Sequence, residues 1–356
     1  MIILQIMIPS HQHLPVNLLS ACFNNTAAAY KFYWFLSILD EIEDGHYHIP
    51  KEKLFVGMVA ASWYTINYFH LSFGKQDQLH RAVKDISYLE NLTIDEKREQ
   101  IRHQLNNSSN LQTQNILKHF NNQVPHRFLS PWFQGRAENI KYIYEASSKF
   151  ENYCLYAVDQ NHITINPIWV DYLKANAGIL KCFCYWKLSL YLQKHNPNVP
   201  DIPNKLIKPA RRNSLIKQRN FWNIVIRELG NIDCIYTNSK LHEGNFAVEH
   251  FIPHAFVSHD LLWNLIPANP SFNSSKSDKL PDLNKYFDSF YQHQKNAIEI
   301  IKSRPAEKKL LEDYLSIFPD LDNFQVLPIE YKVKFKMTIE PLITIASNNG
   351  FEFMKT

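Results

Sequence analysis

Apolar positions recur every three or four residues through most of the chain, which is the spacing of amphipathic helices. The strongest pattern lies at residues 168–194, where aromatic residues predict one long helix. Alternation on both sides of Asp159-Gln160-Asn161 predicts instead a β-hairpin over residues 152–166. Further helices are predicted at residues 17–42 (two helices if Asn24-Asn25-Thr26 caps the second), 52–70, in two or three short pieces within 76–122, and at 282–303, 306–318 and 331–348.

Composition agrees with a helical protein. The 356 residues include 8 glycines against 23 phenylalanines and 18 tyrosines, a balance that favours helices with aromatic cores over a β-sandwich. No GxGxxG or GxxxxGK[ST] loop is present, which disfavours a nucleotide-binding α/β fold.

A Pro/Asn-rich stretch, Asn196-Pro197-Asn198-Val199-Pro200, predicts a domain boundary. At roughly 150 residues per domain, two domains are expected. We therefore predict a mainly α protein with a small α+β part, divided into a helical N-terminal domain (residues 1–200) and a C-terminal domain (residues 201–356). Regulation, partner binding and substrate binding all stay open as roles for the N-terminal domain.

Charge, cysteine pattern and hydropathy indicate where the protein is located and what it can bind. The net charge is only +4, so any nucleic-acid surface must come from local clustering. The five cysteines form no C-x-x-C pair, which disfavours a disulfide framework and indicates a reducing, cytoplasmic location. The sequence contains no run of about 18 apolar residues, so no membrane-spanning helix is predicted. The apolar start, residues 1–9, lacks the basic leader of a signal peptide.

Residues 202–227 contain basic side chains and no acid. One interpretation is a solvated helix face; the other is a segment that contacts nucleic-acid phosphates, because it leads directly into the motif described next. The candidate phosphate contacts are Lys205, Lys208, Arg211, Arg212, Lys217 and Arg219.

A glutamate followed directly by a histidine, Glu249-His250, suits phosphodiester hydrolysis. That reaction needs a base to deprotonate water and a cation to neutralise charge on the phosphate. A carboxylate can bind Mg²⁺ or Mn²⁺, and an imidazole, with an ordinary pKa of about 6.5, can take the proton. Neighbouring side chains on a strand point to opposite faces, so both serve one site only where the strand ends, and Pro253 is consistent with such an end. Asn273, on the following helix, would add an amide oxygen as a second metal ligand.

Each of these residues also has an ordinary structural interpretation. A single Glu-His pair is usually a pair of surface residues without a function. Asn264 alone would be a turn residue, and Asn273 alone a helix cap. Asp260 is interpreted as the cap of a short turn before Trp263, with a catalytic role as the lesser alternative.

Residues 246–281 nevertheless resemble the HNH, or ββα-metal, endonuclease family. Glu249-His250 corresponds to the family's acid–histidine pair on the first strand, Asn264 to the asparagine that opens the second strand and ties the loop, and Asn273 to the last position, on the helix. The nine-residue step from Asn264 to Asn273 and the Asn-x-x-Lys-Ser-Asp run are similar to the HNH domain of type II CRISPR effectors. The flanking helices resemble stand-alone bacterial HNH proteins encoded near anti-phage defence genes. Glu249 departs from the commoner aspartate and lengthens the ligand arm by one methylene.

The resemblance implies a ββα core at about 233–281. Glu249 and Asn273 would bind Mg²⁺ or Mn²⁺, His250 would act as the base, and Asn264 and Lys276 would complete the catalytic group, with Lys276 meeting a phosphate. The expected activity is endonucleolytic cleavage of nucleic acid, with DNA as the expected substrate and anti-phage defence as the suggested role. The alternative is a nucleic-acid-binding protein whose HNH module is inactive or gated by a partner. One such module cuts one strand, so double-strand cutting would require a homodimer or two events.

Overall fold

The structure, a computed structural model, describes residues 8–24, 26–136, 138–208, 214–321 and 329–355. It is mainly helical with small antiparallel sheets, which confirms the predicted fold class. The chain divides into two compact units: Met1–Pro197 with Ile202–Lys208, and Asn198–Asp201 with Pro209–Thr356. Within the described residues, every helix is too short or too polar to cross a lipid bilayer.

The first unit is a helical assembly with one three-stranded sheet. Strand β3 lies between β1 and β2 and is antiparallel to both. Its elements are α1 (Val16–Ala21), α2 (Tyr30–Glu43), β1 (His48–Pro50), α3 (Lys51–Asn67), α4 (Gln78–Leu89), α5 (Arg98–Asn106), α6 (Leu111–His119), α7 (Pro125–Phe128), α8 (Ile140–Ser148), β2 (Tyr156–Val158), β3 (His162–Ile165) and α9 (Pro167–His195).

Most of these elements follow the predicted pattern. The hairpin, the long helix α9 and the division of residues 17–42 into two helices are confirmed. The cap suggested at Asn24–Thr26 is wrong, because α2 begins after Ala29, whose N–H donates to the buried carboxylate of Asp77. Strand β1 was not predicted, since three residues are too few to give an alternating pattern.

The core of the first unit is aromatic. Helix α2 packs against α3 and α9, and one tryptophan on each of the three helices, Trp34, Trp63 and Trp169, is fully buried. Trp34 also donates a hydrogen bond to the hydroxyl of Tyr156 on β2, which satisfies the indole N–H inside the core. The run of large rings explains why so little glycine is present in this helical unit.

The second unit combines helices with two small two-stranded antiparallel sheets. Its elements are α10 (Ile216–Leu229), β4 (Ile232–Asp233), β5 (Lys240–Leu241), β6 (Ala247–His250), α11 (His254–Val257), β7 (Leu265–Ala268), α12 (Pro270–Lys276), α13 (Leu283–Lys302) and α14 (Glu330–Asn348). Residues 306–318, predicted as an α-helix, instead form a 3₁₀ helix at Lys308–Tyr314. Helices α13 and α14 agree with the predicted ranges.

Candidate active site

A strand–strand–helix unit forms where the sequence predicts one. Strand β6 pairs antiparallel with β7, so that Glu249 lies opposite Ile266 and His250 lies opposite Leu265. Helix α12 follows directly, because the Asn269 side chain accepts the N–H groups of Ser271 and Phe272 and Pro270 occupies the first helical position. Helix α12 packs on β6, which brings Glu249 and the helix side chains to one place.

Helix α13 supports the two strands from behind. Gln294 is 1% exposed and donates to the backbone oxygen of Leu265 at 2.8 Å, while its own side-chain oxygen accepts from the Tyr314 hydroxyl. The rings of Phe251 and Phe290 stack with their centroids 3.9 Å apart. A buried, hydrogen-bonded and stacked support of this kind holds the end of β6 in a fixed position.

Asn264 ties the loop between the strands. Its side-chain oxygen accepts the N–H of Ile252 at 2.9 Å, and its side-chain nitrogen donates to the carbonyl of the same residue at 2.8 Å. Asn264 is fully buried. Because both polar atoms of the amide are used in this way, we place Asn264 with the groups that hold the loop rather than with those that touch substrate.

Glu249 is a buried carboxylate at the end of β6, with 6% of its surface exposed. Burial raises the pKa of Glu249, although the neighbouring charges of Lys276 and His250 act in the opposite direction. The Lys276 ammonium donates to Glu249 Oε1 at 2.5 Å and to the carbonyl of His250 at 2.8 Å. Lys276 is therefore directed inward at the carboxylate, and its side chain is not exposed to a phosphate in this state, contrary to the contact that we expected.

Asn273 supplies the second oxygen that the sequence predicts for a metal. It stands three residues before Lys276 on α12, which puts both side chains on one face of the helix. Its side-chain oxygen is buried and accepts no hydrogen bond from any described residue. An oxygen of this kind is costly to bury without a partner, and a cation beside Glu249 would supply one.

Tyr236 adds a second unsatisfied oxygen next to the same carboxylate. Its hydroxyl is buried and has no hydrogen-bond partner among the residues that the structure describes. Burial raises the pKa of Tyr236, and the charge of Glu249 raises it further. The ring stacks on Phe272, the neighbour of Asn273, at 4.5 Å between centroids. No sequence pattern indicates Tyr236, because its contact with Phe272 depends on how the turn before β5 folds over α12.

His250 follows Glu249 at the end of β6, and its side chain pairs with Asp260. The distance from His250 Nε2 to Asp260 Oδ1 is 2.9 Å. Burial tends to raise the pKa of Asp260, but the hydrogen bond and the charge of His250 outweigh it and hold that pKa below its usual value. Gln218 on α10 donates to the backbone oxygen of Asp260 and fixes the loop. Asp260, interpreted from the sequence mainly as a turn cap, is thus a partner of the histidine.

Residues 234–282 match the family model of the HNH endonucleases. This segment is an HNH endonuclease module. The match begins at Cys234, between β4 and β5, and ends at Asp282, the N-cap of α13. It therefore includes the candidate site residues Tyr236, Glu249, His250, Asp260, Asn264, Asn273 and Lys276. No curated protein and no solved structure matches the chain.

The basic segment that precedes the HNH module does not form one surface. Lys205 is fully buried in the first unit, and Lys208 there binds the Tyr64 hydroxyl at 2.8 Å and Asp95 at 3.2 Å. These two lysines therefore do not fit the interpretation of residues 202–227 as one continuous phosphate contact, because Lys205 is buried and Lys208 is paired with a hydroxyl and a carboxylate of the first unit.

The remaining basic candidates belong to the second unit. On α10, Lys217 lies 3.9 Å from Asp313 with half of its side chain exposed. Arg219 donates to the carbonyl of Phe246, immediately before β6, at 2.8 Å. Arg211 and Arg212 lie outside the described residues. Lys217 is consequently the candidate with the most accessible charge beside the HNH module in the part of α10 that the structure describes.

A second group of potential metal ligands lies in the first unit and consists of Glu41, Asp44 and His46. Glu41 is fully buried, and its two oxygens already bind three basic side chains. Arg102 contacts Oε1 at 2.5 Å, while Lys53 and His46 contact Oε2 at 2.5 and 3.0 Å. The carboxylate is therefore neutralised by Arg102 and Lys53, and a metal ion would have to displace these two cations.

Proposed function

We propose that this chain is a metal-dependent endonuclease that hydrolyses phosphodiester bonds in DNA. Three features of one strand–strand–helix unit support the proposal. Glu249 is a buried carboxylate, and the side-chain oxygen of Asn273 has no hydrogen-bond partner among the described residues. The neighbouring His250 is hydrogen-bonded to Asp260. The match of residues 234–282 to the HNH endonucleases supports the same reaction.

Glu249 and Asn273 would hold the cation, Mg²⁺ or Mn²⁺. Both offer hard oxygen ligands, and two protein oxygens suffice for an ion that keeps several waters. When bound, the cation would neutralise charge on the scissile phosphate and on the leaving oxygen.

His250 would accept the proton of the attacking water. With Nε2–H donated to Asp260, the lone pair of Nδ1 remains available as the base. Asp260 would fix this tautomer, and its negative charge would stabilise the imidazolium that forms. Through these two effects, Asp260 would increase the rate of hydrolysis without touching the substrate.

Lys276 would exchange partners during the reaction cycle. Without a divalent cation, its ammonium neutralises Glu249 and so permits the carboxylate to be buried. With a divalent cation on Glu249, the Lys276 ammonium would no longer be needed to neutralise the carboxylate and would be available for the phosphate contact that the sequence predicts. Lys217 and Arg219 on α10 would add contacts to the DNA backbone.

A cleavage assay tests the proposal. Supercoiled plasmid is incubated with the full chain in Mg²⁺ or Mn²⁺, with and without EDTA, beside single-stranded DNA and RNA. We expect nicked circles that EDTA prevents, with linear product appearing only after two nicks or through a dimer. If the chain binds Mn²⁺ and DNA and yet cuts none of these substrates, the alternative of an inactive or partner-gated module is favoured. The anti-phage role stays a prediction.

A further inference from the structure

A cavity of about 350 Å³ lies at the N-terminal end of α2 in the first unit, far along the chain from the HNH module. Its wall includes two basic side chains, Lys31 and Arg127, and one acid, Glu138. Tyr30, Gln123 and Ser130 contribute polar atoms around them. This volume is at the lower end of the range for small-molecule sites, about 300–1,000 Å³.

Lys31 is partly buried and has no acid partner among the described residues. Among the residues that the structure describes, its ammonium forms no ion pair, and its hydrogen bond is a long one of 3.5 Å to the Ser130 hydroxyl. Burial lowers the pKa of Lys31, and the charge of Arg127 lowers it further. The nearby Cys22 thiol offers no charge, because burial raises its pKa far above neutrality.

Other buried lysines in this chain have strong acceptors. Lys51 donates to Asn121 at 2.7 Å and to the carbonyl of Asp159 at 2.8 Å, and Lys276 is paired with Glu249. An ammonium that is buried with weak acceptors destabilises the folded state. The position of Lys31 is therefore better explained by the binding of an anionic ligand than by a contribution to the stability of the folded chain.

Arg127 adds a second positive charge to the same wall. Its contact with Glu138 is 3.9 Å long, and the side chains are 50% and 87% exposed, so the pair is weak and the guanidinium can turn toward a ligand. The cavity thus contains two cations and one loosely held acid.

We propose that this cavity binds a small phosphorylated molecule, of mononucleotide size or smaller, through the side chains of Lys31 and Arg127. A phosphate carries close to two negative charges, so it can replace the loosely held Glu138 at Arg127 and also pair with Lys31. The guanidinium fork can bind two of its oxygens while the ammonium binds as a point charge. The Ser130 hydroxyl donates a third hydrogen bond, and Gln123 and Tyr30 contact the rest of the molecule.

Thermal unfolding and calorimetry of the full chain test this inference. The probes are inorganic phosphate, pyrophosphate and AMP, with chloride at matched ionic strength as the salt control. At a concentration about 100 times Kd, we expect the melting temperature to rise by roughly 5–10 °C. AMP is expected to bind more tightly than inorganic phosphate, because it fills more of the cavity.

Two variants and one control assign the effect to these side chains. Lys31→Met should keep or raise the melting temperature of the ligand-free chain, since it removes a poorly solvated charge, and should abolish the response to every phosphate. Arg127→Gln should weaken binding about tenfold or more. Lys149→Met, at an exposed position in the same unit, should leave the response unchanged.

Three results would overturn the inference: no binding of any phosphate at millimolar concentration, a response to chloride equal to that of the phosphates, or binding that survives in Lys31→Met. If Lys31→Met does not fold, the ligand-free chain depends on Lys31 for stability, which contradicts the argument directly. The outcome is independent of nuclease activity, because His250→Ala should bind the phosphates as the unmodified chain does.

Discussion

Each of the two units contains a buried glutamate, and the surroundings of the two carboxylates differ. In the first unit, Glu41 is neutralised by Arg102 on one oxygen and by Lys53 and His46 on the other. In the second unit, Glu249 has one ion pair among the described residues, with Lys276, and burial raises its pKa.

This difference separates a structural carboxylate from one that is suited to a metal. A cation that approaches Glu41 must displace Arg102 and Lys53, whereas at Glu249 it replaces Lys276 alone among the described residues. The partnerless Asn273 oxygen close to Lys276 would be satisfied by the same ion. Counting acids and histidines in a cluster therefore misleads, because what matters is how many of their charges the protein has already neutralised.

The largest expected effect is the loss of cleavage in His250→Ala. Removing a general base slows hydrolysis by about 10²–10⁴-fold. DNA binding should stay near normal, because the imidazole is assigned to proton transfer and not to backbone contacts. Plasmid nicking and a DNA-binding titration measure the two effects, with His242→Ala, an exposed histidine in the same unit, as the control. Wild-type nicking by His250→Ala would end its assignment as the base.

The second test substitutes each buried glutamate in turn. Glu41→Gln leaves three basic groups without their carboxylate and should lower the free energy of unfolding by about 3–5 kcal/mol, with Mn²⁺ binding unchanged. Glu249→Gln strands only Lys276, so it should destabilise less, and it should abolish Mn²⁺ binding. Chemical denaturation and Mn²⁺ titration give both quantities. The comparison fails if Glu41→Gln is the variant that loses the ion.

The third test concerns the partner of the histidine. Asp260→Ala should reduce the rate of nicking by about 10–100-fold, as is typical for groups that orient an active-site histidine. The effect should fall on kcat rather than on KM, since Asp260 acts through His250. Asp260→Asn should recover part of the rate, because its amide oxygen can still accept the Nε2–H. Equal losses in both variants, together with a lower melting temperature, would indicate a purely structural role.

The smallest expected effect is a gain. Lys276→Met removes the ammonium that competes for Glu249, so Mn²⁺ should bind about tenfold more tightly, a difference of roughly 1.4 kcal/mol. Cleavage should nevertheless fall, because the phosphate loses its lysine. Lys279→Met, three residues later, is the matched control. Weaker Mn²⁺ binding in Lys276→Met would show that the lysine supports the ion instead of competing with it.

The sequence predicted the elements whose signals are local. Helical periodicity located α9, α13 and α14, and the spacing of Glu249-His250, Asn264 and Asn273 located the HNH module. Such patterns can be recognised in the sequence because each lies within one element or one short motif.

The rest depends on contacts between distant parts of the chain. Asp260 accepts the His250 N–H, Lys276 turns inward and Lys205 is buried. Each of these three features follows from how a loop or a helix end packs. Charge patterns predict that a lysine is available, and only the fold decides whether an acid of the same protein has already bound it.

Anomalous diffraction from crystals of the full chain soaked in Mn²⁺ tests the central claim most directly. The account predicts one strong peak between the Glu249 carboxylate and the Asn273 side-chain oxygen, with the Lys276 ammonium moved away from Glu249. A peak at Glu41, Asp44 and His46 with none at Glu249 would contradict it.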